Sequence, residues 1–127
     1  MPYRFSQHYT LDEARELLPK VRQWLQQLQS LQPIIEEYED RVGTMLKSGQ
    51  DCGGDTVNYW LKKLADFQAI VHRFDRGDIQ IKDLDRGLID FPHLMGDREV
   101  FLCWEQDEED IQYWHDLNTG YAGREPI

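Results

Sequence analysis

The chain has 127 residues, with 14 Lys and Arg against 24 Asp and Glu and a formal net charge of −10. That length suits one domain with a modest core, and the 40% apolar and 12% aromatic shares argue against disorder. The acidic balance and the scattered basic residues exclude a phosphate backbone and an anionic membrane as expected partners.

Cys52 and Cys103 share no short repeated spacing, so neither a disulfide framework nor a zinc knuckle is expected. Met1-Pro2-Tyr3-Arg4-Phe5 lacks the apolar core of a signal peptide, and no apolar run approaches a membrane span. The expectation is a soluble cytoplasmic protein.

Residues 1–9 read as a short extended lead-in. Thr10-Leu11-Asp12-Glu13 has the form of a capping box: Thr10 accepts from the backbone of Glu13, and Glu13 reaches back to that of Thr10. Tyr9 is placed to staple onto Ala14. From there Leu17, Val21, Trp24, Leu28, Leu31, Ile35, Tyr38, Val42 and Met45 recur at alternating spacings of four and three, a heptad seam. Pro19 and Pro33 fall within it and predict bends rather than breaks.

Glycines and polar residues mark a loop at 48–55, and Asp55 or Thr56 is placed to cap a second helix. Its seam is Val57, Trp60, Leu64, Phe67, Val71 and Phe74, with Gly77 as the residue after its end. Two seams joined by a short loop predict a long antiparallel helical hairpin over 10–76. At about 1.5 Å per residue the helices would measure roughly 55 Å and roughly 30 Å. The front of the first, with Leu17, Val21 and Trp24, therefore needs cover from the last third of the chain or from another subunit. A homodimer is the expectation.

Over 77–127 the period changes. Ile79-Gln80-Ile81, Leu88-Ile89-Asp90-Phe91 and Glu99-Val100-Phe101-Leu102-Cys103-Trp104 read as strands of a small antiparallel sheet. Val100 to Trp104 has no polar position, so both its faces should be buried. One face lies on the helices. The other needs a lid, for which Ile111 to Leu117 is the candidate, as a short C-terminal helix begun by Asp107, Glu108, Glu109 and Asp110 and ended by Gly120. The fold class is α+β, in one domain without internal repeats.

Candidate chemistry centres on Lys82-Asp83-Leu84-Asp85-Arg86-Gly87-Leu88-Ile89-Asp90-Phe91-Pro92, which sets three carboxylates and an arginine around one glycine between apolar runs. If Ile89 and Phe91 face the core, Asp90 and Arg86 point to the opposite side. In the structural reading, Asp83 and Asp85 bond backbone N–H groups of a turn, and Asp90 pairs with Arg86, Arg98 or Arg124. In the chemical reading, Asp83, Asp85 and Asp90 line a pocket as acid–base groups or metal ligands.

Cys103 and Glu105 share a strand face, and with His115 and one aspartate they could complete a mixed sulfur, nitrogen and oxygen metal site. No Cys-x-x-Cys or His-x-x-x-His spacing supports this, so no cofactor is the expectation and a divalent metal the alternative. As nucleophiles, Cys103 sits in an apolar run that favours an inert thiol, and Cys52 has no visible base. In the tail, Gly120 to Arg124 could meet an anion, but docking of Arg124 onto Asp83, Asp85 or Asp90 is the preferred reading.

The strings Thr10-Leu11-Asp12-Glu13-Ala14 with Leu17-Leu18-Pro19, Lys82 to Pro92, Arg98 to Trp104, Tyr113-Trp114-His115 and Gly120-Tyr121-Ala122-Gly123-Arg124-Glu125-Pro126-Ile127 carry a resemblance. Together they resemble a group of small prokaryotic proteins, domain of unknown function family 2203, over nearly the whole chain. Members often carry Gly-Glu after the Cys-Trp pair, where this chain has Gln106-Asp107-Glu108, so the turn there is expected to differ. The resemblance implies a shared fold and brings no activity with it.

Two functions stay open. One is an interaction or assembly protein whose Asp/Arg cluster is structural. The other is a small enzyme or ligand-binding protein using Asp83, Asp85, Arg86, Asp90, His115 and Arg124 in one pocket. An open cleft where these residues meet would favour the second, and sealed ion pairs would favour the first.

Overall fold

The computed structural model describes residues 2–49 and 54–127. Part of the loop expected over 48–55, and Cys52 within it, lie outside the described residues. Helix α1 runs Leu11–Lys47 and α2 runs Asp55–Arg76. Five strands follow: β1 Gln80–Asp83, β2 Leu88–Met95, β3 Arg98–Glu105, β4 Tyr113–Asp116 and β5 Glu125–Pro126. They form one antiparallel sheet in chain order, β1-β2-β3-β4-β5. The fold is α+β.

The predicted capping box opens α1. The Thr10 hydroxyl accepts from the Glu13 N–H at 3.1 Å, and the Glu13 carboxylate accepts from the Thr10 N–H at 2.8 Å. The helix continues through Pro19 and Pro33 without a break. Capping of α2 differs from expectation: Gly54 holds the N-cap position at φ 94° with no side-chain cap. At its other end the left-handed residue is Asp78, φ 56°, rather than Gly77. What Gly77 supplies is room, since a Cβ there would stand 2.6 Å from the Tyr9 hydroxyl.

Over the front of α1 the buried residues are Ala14, Leu18, Val21, Leu25 and Leu28, so Leu18 and Leu25 are buried where the predicted seam had Leu17 and Trp24, which are half-buried. The reason is that α1 has two partners. Trp24 meets the Phe74 ring of α2 at 5.5 Å, while Leu18, Leu25 and Leu28 join Ile89, Phe91, Leu102 and Trp104 of the sheet in one core. Farther along α1, Tyr38 meets Tyr59 at 4.6 Å, so position rises along α1 as it falls along α2. The front of α1 is thus the covered part, and the sheet covers it.

The C-terminal helix is not formed. Tyr113–Asp116 is strand β4, and the only helical piece beyond it among the described residues is a 3-10 turn at Tyr121–Gly123. The acids at 107–110 make a turn instead. The Glu108 carboxylate accepts from the Glu105 N–H at 2.8 Å, and its carbonyl accepts from the Trp104 indole at 2.9 Å.

With β4 beside β3, both termini cover the outer face. Phe5 packs on Phe101 at 5.4 Å. The Arg4 and Phe5 N–H groups donate to Glu99, which also pairs with His8 at 2.7 Å, and Ser6 and Gln7 donate to Asp78. Tyr9 then ties the lead-in to both layers. Its hydroxyl donates to the Gly77 carbonyl at 2.7 Å, its N–H donates to the Pro92 carbonyl, and its ring lies on Phe91.

Candidate functional site

Strand alternation separates the two sides of the sheet. Ile89, Phe91, Leu102 and Trp104 turn inward, so Asp90 and Cys103 turn outward. Asp90 and Cys103 are direct cross-strand partners. Cys103 faces Tyr113 on β4, and His115, two residues on, emerges on the same side. Register alone brings a carboxylate, a thiol and an imidazole together.

One ligand atom from each of Asp90, Cys103 and His115 lies within 4.8 Å of the other two. The group is sealed, with Asp90 1%, His115 2% and Cys103 0% exposed. His115 Nε2 stands 2.9 Å from Asp90 Oδ2, and Nδ1 stands 2.6 Å from the Asp116 carbonyl. That carbonyl only accepts, so Nδ1 donates to it. Burial pulls the His115 pKa down, but the hydrogen bonds and charges of Asp90 and Cys103 outweigh it and raise it from 6.5 to about 9. Asp90 Oδ1 is buried and accepts from no donor among the described residues.

Arg124 borders the cluster with an Nη atom 3.9 Å from Cys103 Sγ. It makes a two-point pair with Glu108 at 2.7 and 3.1 Å, and its guanidinium carbon lies 4.0 and 4.2 Å from the Tyr113 and Tyr121 ring centres. Burial lowers its pKa, but Glu108 and Cys103 together raise it. Its carboxylate partner is Glu108, not Asp83, Asp85 or Asp90. Arg86 pairs with Glu105 at 2.9 Å and stacks on the other ring neighbour, Tyr121, at 4.4 Å.

Asp83 accepts from the Arg86 N–H at 3.1 Å, the turn bond expected of it, and Asp85 is exposed beside it. Asp90 is held by His115, not by Arg86, Arg98 or Arg124; Arg98 pairs with Asp116. The structure thus joins Asp90, Cys103 and His115, with Arg124 at the edge. It leaves Asp83, Asp85 and Arg86 at the β1–β2 turn and gives Glu105 to Arg86. The pairing roles of Glu108, read from the sequence as a helix-start acid, and of Glu99, read as a strand residue, escaped the sequence reading because nothing in their local spacing marks them. Their partners lie 16 residues away for Glu108 and 91 for Glu99.

A second surface lies at the far end of the helices. Beyond residue 31 of α1 only Val42 is buried, and Ile34, Ile35, Tyr38 and Met45 are half-buried. Leu46 is 65% exposed there, and Leu61 of α2 is 48% exposed.

These features define an α+β protein in which two helices line one face of a five-stranded antiparallel sheet and a sealed polar cluster occupies the other. The chain belongs to the family described as Uncharacterized conserved protein (DUF2203), whose family model matches residues 7–127. No curated protein and no solved structure matches it. Among the described residues no helix is long and apolar enough to cross a membrane.

Proposed function

We propose that the protein is a cytoplasmic assembly module whose two helices, as a long hairpin, present their far end to a second copy of the chain. The observation that carries this is the mismatch between pattern and burial beyond residue 31. The heptad seam continues through Ile35, Tyr38, Val42 and Met45, yet only Val42 is buried. Two helices bury one seam poorly, and a second pair completes a four-helix packing. Leu46, Leu61 and Tyr59 are exposed at this end, and the Trp60 indole N–H is shielded with no partner among the described residues. The free, buried thiol of Cys103 suits a reducing compartment. A net charge of −10 argues against nucleic acid as the partner.

The ligand-pocket alternative has less support, because Asp83, Asp85, Arg86 and Arg124 do not meet in an open cleft. Light scattering at micromolar concentration tests the assembly reading. The expected mass is twice that of the chain, and Leu46→Glu with Leu61→Glu is expected to return it to one chain. Both side chains are exposed, so their loss leaves the single chain folded. A monomeric parent protein would overturn the reading.

A further inference from the structure

We propose that Asp90, Cys103 and His115 hold one transition-metal ion of the zinc class, clipping β2, β3 and β4 together on the face away from the helices. The oxygen donor is Asp90, in place of Glu105, which Arg86 occupies. This inference is independent of the assembly reading.

Four observations converge on it. The three donor atoms lie within 4.8 Å of one another and come from three adjacent strands whose pairing fixes them. His115 donates Nδ1–H to the Asp116 carbonyl at 2.6 Å, the outer bond that orients a metal-ligating imidazole and aims Nε2 at the ion. Asp90 Oδ1 is buried, with no partner among the described residues, on a residue only 1% exposed. Buried carboxylate oxygens are rarely left without a donor, and a cation would supply what the protein does not. Charge also balances: one thiolate and one carboxylate neutralise a divalent ion, while the adjacent Arg124 is already matched by Glu108.

Thiolate with imidazole and a single carboxylate selects zinc or cobalt over magnesium or calcium, which favour oxygen donors. On binding, any proton on Nε2 or Sγ leaves to solvent, and the Asp90–His115 hydrogen bond is exchanged for two metal bonds. Phe5 on Phe101 and Arg124 at Cys103 cover this face, so the ion's role is to hold strands together.

The test uses the full chain, reduced, stripped with chelator and titrated with cobalt(II) or zinc(II) alone. Cobalt should bind at one per chain with visible ligand-field bands and a thiolate charge-transfer band, both bleached by zinc. Zinc should raise the melting temperature. Cys103→Ser and Asp90→Asn, the latter nearly isosteric, should each weaken zinc binding by about 100-fold or more, since loss of an outer partner alone costs about 10–100-fold. Cys52→Ser should leave spectrum and affinity intact. The parent spectrum decides even if a variant misfolds: no cobalt bound, or cobalt bound without the thiolate band, overturns the site. Loss of the band in Cys52→Ser, or parental affinity in Cys103→Ser, overturns it equally.

Discussion

The two faces of the sheet are built from neighbouring residues of the same strands and held by different physics. On the inner face Ile89, Phe91, Leu102 and Trp104 meet Leu18, Leu25 and Leu28 through apolar contact, which is non-directional and scales with area. On the outer face Asp90, Cys103, His115 and Glu99 answer to named partners at set distances. The inner face tolerates exchange of one apolar side chain for another of similar volume. The outer face does not, because removing one member leaves a buried polar group with nothing to bond. The inner face gives the protein its stability, and the outer face ties both chain ends to the sheet.

The largest expected effect falls on the inner face. Leu25 is fully buried at the centre of the core, and Leu25→Ala should cost about 2–5 kcal/mol through lost burial and the cavity left behind. Urea denaturation measures it as a lower midpoint at unchanged slope. A cost below about 1 kcal/mol, as for a surface position, would break the comparison by showing that the sheet face and α1 do not share a core.

An intermediate effect is expected where the tail docks. Arg124 combines a two-point pair to Glu108 with stacking on Tyr113 and Tyr121, and its side chain is largely shielded. Arg124→Ala should cost about 1.5–3 kcal/mol, the range for hydrogen bonds to charged groups. Arg124→Lys should recover less than half of that, because an ammonium keeps the charge but loses the planar fork and the stacking. Equal stability of the Lys variant and the parent would show that charge alone docks the tail. An unchanged melting temperature in Arg124→Ala would remove docking altogether.

The inner face was legible in the sequence because its signal is periodic. Alternation at 79–81 and the short apolar runs at 88–91 and 99–104 marked three strands, and Thr10 with Glu13 marked the start of α1. Strand β4 was not legible. Four acids ahead of Tyr113 imitate a helix start, and what makes Tyr113–Asp116 a strand is its ladder to Val100–Cys103, a pairing no local pattern encodes. The outer cluster was half legible for the same reason. Cys103, His115 and an aspartate could be nominated by chemistry, but the choice of Asp90 over Asp83 or Asp85 depends on the register of β2 against β3. The seam of α1 misled in one respect, since a heptad reading assumes one helical partner and the front of this helix also meets a sheet.

The smallest expected effect concerns the other chain end and carries a sign that can be checked. Burial pushes the Glu99 carboxyl up, but His8 and the N–H groups of Phe5 and Arg4 pull harder, so its folded pKa lies below the ordinary 4.5. A carboxyl lowered on folding contributes stability that is fully present above its unfolded pKa and lost as pH falls through the folded one. The parent should therefore lose more stability than Glu99→Gln between about pH 5 and pH 2, as read from urea midpoints at each pH. Taking the difference between the two proteins cancels the other carboxylates, which titrate in both. Above that window Glu99→Gln should be the less stable of the two, because an amide accepts the two backbone N–H bonds less strongly than a carboxylate. Parallel pH curves would mean that Glu99 does not hold the lead-in, leaving Phe5 on Phe101 and the Asp78 contacts to seal that end of the outer face.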